Sequence, residues 1–63
     1  MENNLDQIQE NLQRIQEYQN EIEKKVRNIE KFPEITHFLL REIFNYENII
    51  YELRKENHDI KNK

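Results

Sequence analysis

One heptad repeat runs along this chain and is interrupted once, at its single proline, Pro33. Before the break, Leu5, Ile8, Leu12, Ile15, Ile22, Val26 and Ile29 follow one another at steps of three and four, with Gln19 in the one vacant place. After it, Leu39, Ile43, Tyr46, Ile50, Leu53 and Ile60 keep the same spacing, with Asn57 in the polar place. Such spacing gathers one side of a helix into an apolar seam, and strict period-two alternation never appears. The chain is therefore expected to be all-α, with these fifteen residues as its seam.

Proline removes one helical hydrogen bond and drives the residue before it, Phe32, out of the α region. The reading is a helix from about 4 to 31, a turn at about 32–36 and a second helix from about 37 to 60. Asn3 or Asn4 serves as the first N-cap, and Glu10–Arg14, Glu21–Lys25 and Glu23–Arg27 supply favourable pairs four apart. For the second helix, Pro33 stands at its first position, or Thr36 is its N-cap with Ile35 and Leu40 as a hydrophobic staple. The chain contains no glycine, the residue that commonly ends helices, so a continuous kinked rod is the competing arrangement.

Charge favours the hairpin, or an antiparallel dimer of kinked rods. Residues 1–20 carry Glu2, Asp6, Glu10 and Glu17 against Arg14, a net −3. Residues 21–32 carry Lys24, Lys25, Arg27 and Lys31 against Glu21, Glu23 and Glu30, a net +1. Residues 33–52 return to −3 and residues 53–63 reach +2. Each helix thus has acids early and bases late, as its macrodipole favours. Folding back antiparallel sets opposite signs side by side, whereas a parallel pairing sets like signs together. The expected fold is an antiparallel, coiled-coil-like two-helix hairpin forming one domain, which completes a helical bundle by oligomerisation or partner binding.

The second helix carries more apolar surface than one neighbour can cover. Leu40, Phe44 and Tyr51 widen its seam on one flank, and Ile35 and Ile49 on the other, to roughly 220° of circumference at 100° per residue. The first helix is narrow, widened only by Tyr18 and Phe32. A thin stripe cannot cover a wide band, so Leu40, Phe44, Ile49 and Tyr51 are the candidate protein-binding residues. The amides Gln19 and Asn57, if buried in the seam, fix register at some cost in stability.

Little else in the chain suits chemistry. With 63 residues, no cysteine, no serine and Thr36 as the only aliphatic hydroxyl, no nucleophilic triad assembles. Glu34 and His37 have the spacing of a di-iron half-site, but both fall outside the seam and no second motif exists. No catalytic, cofactor-binding or metal-binding residue is expected. The cluster Lys24, Lys25, Arg27 and Lys31 is interrupted by Glu23 and Glu30, and the net charge of −3 argues against nucleic acid. Apolar runs never exceed three residues, so no membrane is involved and a soluble cytoplasmic protein is expected.

In length and two-helix plan the chain resembles the small hairpin proteins of the Rop type, which dimerise and bind RNA. It lacks their alanine- and leucine-rich layers and their RNA-facing basic and aromatic pattern. In size it also resembles the short aspartyl-phosphate phosphatases of sporulating bacteria, without their Ser-Gln-Glu-Leu-Asp motif. Neither activity is carried over. The expected function is a non-enzymatic interaction module, either a homodimer or a small subunit bound to another helical protein. The alternative is a stoichiometric inhibitor or adaptor that lays its second helix on an enzyme or receptor, and a further one is a Rop-like RNA-binding dimer.

Overall fold

Pro33 has no N–H for the carbonyl of Ile29, and its ring excludes helical geometry at the residue before it. In a computed structural model, which describes residues 4–62, that residue is Phe32, at φ −131° and ψ 70°. It is the one break between Asn4 and Lys61. Helix α1 (Asn4–Lys31) precedes it; a 3-10 turn over Pro33–Ile35 leads directly into α2 (Thr36–Lys61). Asn4 is the first helical residue described, and Asn3, the other N-cap candidate, lies outside the described residues.

Hydrogen bonds close the turn without a left-handed residue. The Phe32 N–H still donates to Asn28 O at 2.7 Å, and Ile35 N–H donates back to Phe32 O at 3.1 Å. No described residue has a positive φ. Reversal through an extended pre-proline residue and a tight 3-10 turn thus needs no glycine. Thr36 acts differently from an N-cap. Its hydroxyl donates to the Pro33 carbonyl at 2.6 Å, bonding backward where a cap would accept a forward N–H. Ile35 holds the cap position with no side-chain bond, and Ile35 and Leu40 are both exposed. At the far end Asn62 replaces glycine. Its backbone N–H and its Nδ2 both donate to His58 O, at 3.1 and 3.0 Å.

The two arms run antiparallel as a rod of 51 × 14 × 12 Å. The radius of gyration is 14.8 Å, against about 11 Å for a compact chain of this length. The molecule is one helix pair thick, so each helix buries one side only. Its buried apolar side chains are Ile8 and Ile15 from α1 and Leu39, Ile43 and Ile50 from α2. No described helix is long and apolar enough to cross a membrane.

A candidate interaction face

The seam decides what is left over for partners. From α2 it takes Leu39, Ile43, Ile50 and Asn57, all buried, with Tyr46, Leu53 and Ile60 half-buried beside them. From α1 it takes Ile8, Asn11 and Ile15, buried, with Tyr18, Ile22, Lys25 and Ile29 half-buried, and Gln19 is half-buried at its outer edge. Leu5, Leu12 and Val26 do not belong to it. They are 59%, 54% and 44% exposed, and their expected places are taken by Asn11, Tyr18 and Lys25.

The correction has a physical cause. Ile8, Ile15, Ile22 and Ile29 form a heptad either with Leu5, Leu12, Gln19 and Val26 or with Asn11, Tyr18 and Lys25. Hydropathy favours the first set. Complementarity across the hairpin favours the second, because each polar member meets its chemical match on α2. Asn11 Nδ2 donates to Asn57 Oδ1 at 2.9 Å. The Tyr18 and Tyr46 rings lie 5.3 Å apart at a 36° tilt. Lys25 Nζ is 3.1 Å from Glu42 Oε2 and 5.5 Å from the centre of the Tyr46 ring.

Asn11 is the most buried of the described residues, only 1% exposed, and Asn57 is buried against it. Gln7 Nε2 donates to Asn11 Oδ1 at 3.2 Å, and Asn57 Nδ2 donates to the Ile8 carbonyl at 3.3 Å. Every buried side-chain polar atom among the described residues is thereby satisfied. Hydropathy singles out Asn57 but not Asn11, because it sets the seam of α1 on its leucines. The signal was present in the antiparallel pairing, which brings amide to amide, ring to ring and cation to carboxylate at a nearly constant offset.

With the seam shifted, α1 turns an apolar stripe outward. A shallow groove is lined by Gln19 and Ile22 of α1 and by Glu47, Ile50, Tyr51 and Arg54 of α2. Gln19 shares its heptad position with Leu5, Leu12 and Val26, and Tyr51 shares its own with Phe44. The groove therefore joins the two stripes into one face spanning both arms. On that face Phe44 is 60% and Tyr51 58% exposed, with Leu40 beside them. Ile49 is exposed on the other flank of α2, where Ile35 and Phe38 also lie open. Phe38 went unread in the sequence; one residue before Leu39, it falls on the helical phase of Ile35 and Ile49.

The other candidates are dispersed. His37 lines a hollow with Leu40, Arg41 and Phe44, while His58 lines one with Tyr51, Arg54 and Lys55. Glu34 and His37 are both exposed, and no three His, Asp or Glu side chains converge among the described residues. In the basic cluster, Lys24 pairs with Glu21 at 3.6 Å, Arg27 with Glu23 at 3.8 Å and Lys25 with Glu42. The chain matches no family model, no curated protein and no solved structure.

Proposed function

We propose that this chain is a non-enzymatic association module whose exposed two-helix face is covered by another helical surface. The observation that carries the reading is the contrast between its two sides. The seam holds an amide pair, a tyrosine pair and an ion pair among its isoleucines, while Leu5, Leu12, Val26, Phe44 and Tyr51 stand in solvent. Scattered exposed apolar residues need no explanation; aligned stripes on two adjacent helices, broken on α1 by Gln19, do. A short chain with few buried side chains also starts near zero net stability, and covering this face supplies the missing burial. Three of the four cations in the basic cluster are paired with carboxylates, which weighs against RNA as the partner. The second apolar flank, at Ile35, Phe38 and Ile49, favours an adaptor reading in which a different protein also docks on α2.

The test is association with and without the face. The parent's thermal midpoint should rise with protein concentration, as mass action requires of a folded state completed by association. Phe44→Glu with Tyr51→Glu should abolish that dependence and lower the molar mass, while Ile49→Glu leaves both as in the parent. A parent midpoint constant over a hundredfold dilution would exclude self-association, and a double variant that melts as the parent does, alone and in a lysate of its host, would show a self-sufficient monomer.

A further inference from the structure

Along the exposed edge of α2, His37, Phe44, Tyr51 and His58 follow one another every seven residues. Around Tyr51 this edge reads alike in both directions. Seven residues to either side stand planar rings, Phe44 and His58. Four residues before stands the carboxylate of Glu47, and three residues after stands the guanidinium of Arg54. Both charged side chains border the groove at Tyr51, yet neither makes an ion pair among the described residues. They are seven residues apart, about 10 Å along the helix, so they do not satisfy each other. Rings seven residues to either side, with opposite charges four before and three after, let a helix pair with its own reversed copy about a point between Ile50 and Tyr51.

We infer that the occupant of this face is a second copy of the chain, packed with its α2 antiparallel to the first about a two-fold axis near Tyr51. Glu47 of each copy then meets the partner's Arg54. The inference rests on the reading of this face as an association surface and adds the identity and orientation of the partner. Three further observations agree with it. The acidic first half of α2 lies over the basic second half of the partner's α2, and the same holds for α1. Asn11 opposite Asn57 and Tyr18 opposite Tyr46 put the level of Tyr51 between Asn11 and Tyr18 of α1, so the two-fold lays each α1 stripe antiparallel on the partner's, with Leu12 beside the partner's Gln19. A face 51 Å by 14 Å offers about 700 Å² per copy, close to the roughly 800 Å² per partner of a stable interface. A two-fold along the hairpin would instead lay α2 on the partner's α1, where Glu47 stands near the level of Tyr18 and Gln19, and the match with Arg54 is lost.

Charge reversal tests this. Molar mass by sedimentation equilibrium is measured over a range of concentrations for the parent, Glu47→Arg, Arg54→Glu, the double swap, and an equimolar mixture of the two single variants. Helical content is followed by circular dichroism throughout. The parent should be a dimer. Each single variant sets like charges together twice per dimer and should raise the dissociation constant about tenfold at low salt, less at high salt. The double swap should recover parental affinity, and the mixture should form heterodimers tighter than either variant alone. A parent that dimerises while the single swaps change nothing, or while the mixture shows no preference, overturns this arrangement and leaves the association reading intact. A parent that stays monomeric overturns the second copy as occupant. Phe44→Glu with Tyr51→Glu, carrying no swap, separates a failure of the face from a failure of the charge pairing.

Discussion

Asn11 and Asn57 join the arms at a single place, and their geometry says what each contributes. Asn57 gives one oxygen to Asn11 and one N–H to the Ile8 carbonyl, so it contacts two successive turns of α1. A slip by one turn in either direction would bury both amides without partners. Removing one partner leaves the other unsatisfied, which costs about 1–3 kcal/mol, whereas replacing both with apolar groups is close to neutral. Asn57→Ala should therefore destabilise the hairpin by about 2 kcal/mol, and Asn11→Leu with Asn57→Leu should recover most of that loss. Denaturation midpoints at one fixed protein concentration measure both. A single variant as stable as the parent would mean that the amides are exchanged for water at no cost. The double variant should show its defect elsewhere, as mixed registers, because two leucines accept a one-turn slip that two amides forbid.

At the scale of the element, the hairpin itself was legible. Heptad spacing named two helices, Pro33 named the break, and the alternating charge of the four segments named the antiparallel return. The seam of α2 was legible because Leu39, Ile43, Ile50 and Leu53 have no competing set. That of α1 was not, because two stripes share the same isoleucines and only contacts across the hairpin choose between them. The turn was also read through the wrong residue. Thr36 has a capping side chain, but a proline three residues earlier offers its carbonyl first, and a hydroxyl donor takes it. Spin labels at the exposed Gln16 and Lys55, diluted into unlabelled chains, should report one distance below about 30 Å, where a continuous helix would give roughly 58 Å. Pro33→Ala restores an N–H and lets Phe32 become helical, so a second population at long distance should emerge. A distribution that stays wholly short in this variant would show that contacts between the arms hold the break without the proline.

For the whole molecule, the misplaced seam changes what its leucines are for. Had Leu12 and Val26 lain between the helices, charging them would collapse the hairpin, since large-to-small changes at core sites alone cost about 2–5 kcal/mol. Exposed on the face beside Phe44 and Tyr51, they contribute little to holding the two arms, and under the proposed association they are what the partner covers. Leu12→Glu with Val26→Glu should accordingly retain helical content in the cold at high concentration, while its molar mass falls to that of one chain. Its thermal midpoint should drop below the parent's and cease to depend on concentration, because the dependence comes from association alone. Ile15→Ala provides the contrast, since Ile15 is buried between the arms and its loss weakens folding whatever the concentration. Circular dichroism and sedimentation on the three proteins distinguish the outcomes. If the double variant melts out as Ile15→Ala does, with helix lost at every concentration, the α1 stripe belongs to the core. If it associates as the parent does, the stripe is ordinary surface, and any association of this chain must use α2 alone.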